Sequence, residues 1–174
     1  MATDTSGEIV NKIKQSDKLV TIDLQKYFDE TPKAALDLKQ FLFKGMILKE
    51  EDFRDQLENF DWSQFDGKYV GVYCSTDAII SKWAYMLVGQ HLAPHAKEVF
   101  KGREDDMLFE LYRRKLEDVS WHEYEDKFVI LKGCSSKEKP VPESVYLHAT
   151  QKLIPHVKKL MYGEACSNVP VYRG

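Results

Sequence analysis

WSQFDGKYVGVYCSTDAIISKWAYMLVGQHLAPHAKEVFKG, residues 62–102, is answered by WHEYEDKFVILKGCSSKEKPVPESVYLHATQKLIPHVKKLMYG, residues 121–163. Trp62, Phe65, Lys68, Tyr69 and Val70 match Trp121, Tyr124, Lys127, Phe128 and Val129. Cys74-Ser75 matches Cys134-Ser135 with one residue added. Tyr85, Leu92, Pro94, His95, Lys97 and Gly102 then match Tyr146, Leu153, Pro155, His156, Lys158 and Gly163. A repeat of this kind fixes architecture before any single motif does.

The repeat extends outward. Phe41–Gly45 (FLFKG) reads as the first of three similar strand endings, with Val99–Gly102 (VFKG) and Leu160–Gly163 (LMYG). After each of the first two comes an acidic amphipathic stretch with apolar residues at helical spacing: Phe53, Leu57 and Phe60, then Leu108, Leu111, Tyr112 and Leu116. The unit is thus a strand ending in glycine, a helix, a Trp corner, a strand ending in Cys-Ser and a second helix. The copies span approximately residues 41–102 and 99–163. Lys68–Tyr73 and Lys127–Lys132 are short β-rich runs of the buried parallel type. The second helices are expected over Thr76–Lys97 and Val141–Lys159, each meeting a proline near its end. Upstream, Leu19–Leu24 reads as a strand, and Ala34–Leu38 as a partner strand closing a hairpin on it. Ile9, Val10 and Ile13 suit a short helical turn. Glu164–Gly174 reads as a strand end and a loop that folds back. The alternation predicts a single α/β domain over residues 1–174. It has a mainly parallel sheet with helices on both faces, an internally duplicated strand-helix-strand core and N-terminal strands. The pattern fits the two halves sharing one sheet or holding two.

Bulk properties exclude several classes. The 174 residues are 43% hydrophobic and 30% charged, which suits a globular protein able to bury a core. A net charge of -3, with lysines scattered among carboxylates, carries no footprint for nucleic acid. The longest apolar run, Trp83–Gly89, is too short to span a bilayer, so no membrane partner is expected. The amino terminus has no apolar signal core, and three cysteines make an odd number. Both point to reduced thiols in a cytoplasmic protein.

Ligands of open parallel sheets sit beyond the carboxyl ends of the strands. Cys74 and Cys134 end matched strands, and Cys166 follows the strand Lys159–Gly163 by three residues. If the strands are neighbours, all three thiols share one edge. Aligning Gly102 with Gly163 sets Asp105 opposite Cys166, and Asp77 lies three residues after Cys74. Three thiolates with Asp105, Asp77 or water are a donor set for zinc or iron, an iron–sulfur cluster being the less favoured occupant. A metal-binding accessory protein is the leading reading. The Cys-Ser steps are read as preceding helix starts, where amides favour anions and lower a thiol pKa, which makes Ser75, Thr76, Ser135 and Ser167 anion-binding candidates. The alternative is therefore an enzyme with a nucleophilic Cys acting on a small anionic metabolite, with Lys132 and Arg103 as anion partners. The plain reading is a scaffold whose thiols are small buried hydrophobes. His95 and His156 lie a helix length from the cysteines, and Trp62 and Trp121 read as core plugs. A homo-oligomer fits all three readings.

The chain resembles an uncharacterised bacterial family, domain of unknown function 2480, seen chiefly in Bacteroidota. The residues that carry the resemblance run through the chain. They include Leu19-Val20-Thr21, Phe43-Lys44-Gly45, Asp61-Trp62-Ser63, Cys74-Ser75-Thr76-Asp77-Ala78-Ile79 and Trp83-Ala84-Tyr85-Met86-Leu87. Lys132-Gly133-Cys134-Ser135, Val141-Pro142, Tyr162-Gly163-Glu164 and Cys166 through Tyr172 complete them. The resemblance implies no known activity. It implies a neighbourhood of iron–sulfur assembly genes, and hence iron–sulfur assembly proteins as partners and a metal role for the thiols.

Overall fold

The computed structural model describes residues 18–174, so the turn expected around Ile9, Val10 and Ile13 lies outside the described residues. The fold is mixed α/β with mostly parallel strands in two open sheets. The chain divides into two compact units. One is contiguous, Asp29–Arg114, and is called the inserted unit. The other joins the described residues up to Phe28 with Lys115–Gly174 and is called the split unit.

The inserted unit holds β2 (Lys33–Asp37), β3 (Tyr69–Tyr73) and β4 (Glu98–Lys101), with α1 (Glu50–Glu58) and α2 (Lys82–Leu92). All three strands are parallel, with β3 in the middle. Central position explains the composition of β3: both its faces are covered, so YVGVY is apolar throughout. On α2 the residues Ala84, Val88 and Leu92 recur every fourth position and are fully buried in one cluster with Val70 and Val72. Tyr69 and Phe100 lie in a second cluster with Met107 and Leu111 of α3 (Glu104–Glu117), the helix in which the unit boundary falls.

The split unit repeats the plan with β1 (Leu19–Ile22), β5 (Phe128–Lys132), α4 (Glu143–Leu153) and β6 (Lys159–Glu164). Its strand order is β1-β5-β6, all parallel, followed by β7 (Ser167–Arg173) running antiparallel on the edge. Val145, Ala149 and Leu153 form the buried stripe of α4. Matched details run deep. The buried Trp62 and Trp121 each donate an indole N–H to the end of the preceding helix, Leu57 O at 2.8 Å and Leu116 O at 3.2 Å. Both are core plugs, as expected.

Several expectations change. Leu19–Ile22 and Lys33–Asp37 form no hairpin; each joins its own sheet as a parallel edge strand. The cause is a shared turn. Asp23 and Asp37 each accept a hydrogen bond from the amide two residues on, Gln25 and Lys39, opening 3-10 turns at Leu24–Tyr27 and Leu38–Phe41. Those turns end the strands and steer the chain away. Phe41–Gly45 is accordingly no strand ending: Phe43 and Ile47 form an isolated bridge around a tight turn. The helices are shorter than periodicity predicts: α2 starts only after Ser81, and α2 and α4 stop at Leu92 and Leu153, two residues before Pro94 and Pro155. The tail is a full strand, and its Pro170 is accommodated by edge position and a register shift at Leu160/Met161.

Candidate functional site

The thiols occupy the predicted strand ends but not a single sheet edge. Cys74 follows β3 in the inserted unit; Cys134 follows β5 and Cys166 sits in the β6–β7 turn, both in the split unit. All three are free, Cys134 and Cys166 exposed and Cys74 half-buried. Among the described residues, no group of three or more His, Cys, Asp or Glu stands ready to hold a metal ion.

What the split unit does assemble is a polar edge around Lys132. Asp23 leaves β1, Lys132 ends β5 and Glu164 ends β6, so three adjacent parallel strands deliver three charges. Lys132 Nζ lies 3.0 Å from Asp23 Oδ2. The hydrogen bond and charge of Asp23, then Glu164 and Cys134 more weakly, raise the Lys132 pKa. Glu164 Oε1 is buried without a hydrogen-bond partner. Gln25 ties down the following loop through its side-chain amide, which donates to Lys139 O at 2.7 Å and Ser136 Oγ at 3.2 Å.

Beside this edge, between the sheet and α4, lies a groove of about 470 Å³ lined by Gly133, Ser135, Val141, Glu143, Tyr146 and Tyr162, among others. Two tyrosines wall it, 5.6 Å apart edge to face. The Tyr146 hydroxyl donates to Lys132 O at 2.8 Å, and that of Tyr162 to Gly133 O at 3.2 Å. A side chain on Gly133 would stand 3.0 Å from the Tyr162 ring, so glycine gives that ring its place. Burial first, then Tyr162, Asp23 and Cys134, pushes the Tyr146 hydroxyl up to about 12. A larger groove of about 580 Å³ in the same unit is lined by Leu19, Phe128, Ile130 and Met161; neither groove has a thiol in its wall, but only the first is lined by the neighbours of Cys134.

The inserted unit treats its edge differently. Asp37 Oδ1 accepts from Ser75 N at 3.0 Å, Cys74 Sγ lies 3.3 Å from Thr76 Oγ1, and Thr76 donates on to Gly45 O at 3.1 Å. Ser75 and Thr76 are thus engaged by the protein itself. Tyr85, the counterpart of Tyr146, has its pKa raised by burial and by Cys74. Asp105 is exposed in the first turn of α3; its neighbour Asp106 turns back to accept from Arg103 N at 2.8 Å. Asp77 lies in the wall of an apolar groove with Met46 and Ile79. Ser167 starts β7, exposed, and only Ser135 of the four hydroxyl candidates lines the Tyr146 groove. His95 and His156 precede β4 and β6, away from the thiols, and their carbonyls accept from Gly67 N and Asp126 N, each at 2.9 Å. Sequence reasoning missed Asp23, Tyr162 and Glu164. The signal for Asp23 was present, since Ile22-Asp23-Leu24 and Leu36-Asp37-Leu38 are one motif twice.

No helix among the described residues is long and apolar enough to cross a membrane. No curated protein matches the chain, and no solved structure does. One family model, described as "Protein of unknown function (DUF2480)", matches residues 7–174. With nearly its whole length covered by that model, the chain belongs to the DUF2480 family.

Proposed function

We propose that the split unit binds a small polar metabolite in the Tyr146–Tyr162 groove, with the exposed Cys134 as its thiol nucleophile. One observation supports this above the rest: Gly133 and Ser135, the residues on either side of the exposed Cys134, line the groove where the chain leaves β5, at the strand end where parallel sheets receive ligands. The chemistry of the lining narrows the ligand. In the lining, Glu143 calls for N–H or O–H donors, and Ser135 and Thr150 offer hydroxyls; at the neighbouring strand ends Glu164 Oε1 has no partner and Lys132 is already paired with Asp23. A ligand carrying donors as well as acceptors fits better than a simple anion. Ligand-observed NMR against a panel of amino acids, hydroxy acids and amino sugars tests the reading, run beside a Val141→Trp variant that fills the groove. Binding by the wild type alone is expected; equal spectra for the two proteins sink it.

A metal-accessory role is the second reading, favoured by Cys134 and Cys166 following adjacent parallel strands of one sheet. It takes the thiols as reduced, in a cytoplasmic setting. Protein purified without air or chelators would carry about one zinc or iron per chain, lost in Cys134→Ser. Metal-free protein from metal-replete cells removes this reading.

A further inference from the structure

The split unit provides an internal control for the surface of the inserted one. After its strand-end cysteine the split unit uses a polar, exposed loop, Ser135-Ser136-Lys137-Glu138. At the same point the inserted unit runs Ser75-Thr76-Asp77-Ala78 and then Ile79, which is 89% exposed. Beside it the Phe43–Ile47 turn shows Met46 and Ile47 to solvent, 60% and 53% exposed. The two loops are tied by the Thr76–Gly45 hydrogen bond and together with Trp83 form a groove of about 460 Å³. Lys44 at the turn holds a left-handed φ of 50°, a conformation that costs a non-glycine residue energy. The fold therefore requires a loop here and does not require apolar side chains on it; ordered apolar groups held outward mark a surface that is covered in use.

The rim says what covers it. Lys49 lies 3.5 Å over the Phe43 ring, with Lys44 near the same ring, while Glu50, Glu51 and Asp52 open α1 next in sequence. Arg54, paired with Glu50 at 2.9 Å and lying over the Trp83 ring, joins Lys44 and Lys49 in balancing the acidic trio, so the rim carries no excess of one sign to match an anionic membrane or a strongly charged partner. A patch with an apolar centre, a tryptophan and both signs on its rim is complementary to itself. We propose that this face is a two-fold interface between two copies of the chain, Met46, Ile47 and Ile79 packing against their counterparts and Lys49 of each copy facing Glu51 of the other.

Sedimentation equilibrium of the full chain tests it. The wild type is expected to dimerise, and Ile79→Glu to raise the dissociation constant at least tenfold, about the loss of one interface anchor. Ile79 is exposed, so the substitution leaves folding intact. Val169→Glu, a change at an exposed apolar residue of β7, should leave the dimer unchanged. The charge arrangement has its own test. Lys49→Glu and Glu51→Lys should each weaken self-association, and an equimolar mixture should recover it, because every rim pair is then of opposite sign. A monomeric wild type overturns the proposal, as does a dimer indifferent to Ile79→Glu or a mixture that does not recover. Monomer that instead sediments with phosphatidylserine vesicles overturns it in favour of a membrane surface.

Discussion

The two units share a strand order, a capped turn after the first strand, a tryptophan corner and a four-residue-spaced helix stripe, yet their carboxyl edges have parted. The split unit keeps its thiol exposed beside a paired lysine and a groove. The inserted unit has folded its thiol against Thr76 and turned the neighbouring loops apolar. A duplicated scaffold thus separates what its core demands, which is the same twice, from what its edges are free to become.

The largest test of that equivalence is in the core. Leu92 and Leu153 close the stripes of α2 and α4 and are both fully buried. Leu92→Ala and Leu153→Ala should each cost about 3 kcal/mol in urea denaturation. A difference well beyond 1 kcal/mol would show that the two helix–sheet seams have ceased to be equivalents. The corners come next. Trp62→Phe should cost about 2 kcal/mol and Trp121→Phe about 1, since the first indole makes the shorter hydrogen bond and stacks on His91 at 5.1 Å. The reverse order would mean that packing, not the bond to the helix end, sets the value of the corner.

A third measurement separates the edges by pH. Tyr146 is held up to about 12, so the protonated hydroxyl is favoured in the folded chain. Its contribution to stability is complete below the ordinary tyrosine pKa near 10 and is lost as pH rises through about 12. Phenolate absorbance should show a late-titrating tyrosine that vanishes in Tyr146→Phe; an unchanged late phase would assign it to Tyr85 or Tyr124 instead, both also raised by burial. The smallest effect lies in a turn. Gly67 and Asp126 hold matched left-handed positions, φ 69° and 57°. Asp126→Gly should stabilise by about 0.5–1 kcal/mol and Gly67→Asp should destabilise by a similar amount, measured as opposite shifts in Tm.

Much of this fold was legible because its signals are local. Alternation of apolar runs gives the strands, four-residue spacing gives α2 and α4, and paired Trp-x-x-aromatic corners show the duplication. Pairing was not legible. Leu19 meets Phe128 across more than a hundred positions, whereas Lys33 lies close by in sequence and belongs to another sheet. Nearness in the chain argued for a hairpin, and an Asp-capped turn overruled it. The candidate site was half legible for the same reason. A cysteine that ends a strand announces itself, but Asp23 and Glu164 become its neighbours only once β1 and β6 are known to flank β5.

That strand order also sets a timetable. The first strand of the split unit leaves the ribosome before the whole inserted unit, and its partner β5 follows about a hundred residues later. At about 10 residues per second, β1 spends roughly ten seconds without its ladder while the contiguous unit behind it folds. The sheet that holds the Cys134 edge therefore closes only after the whole inserted unit has been made.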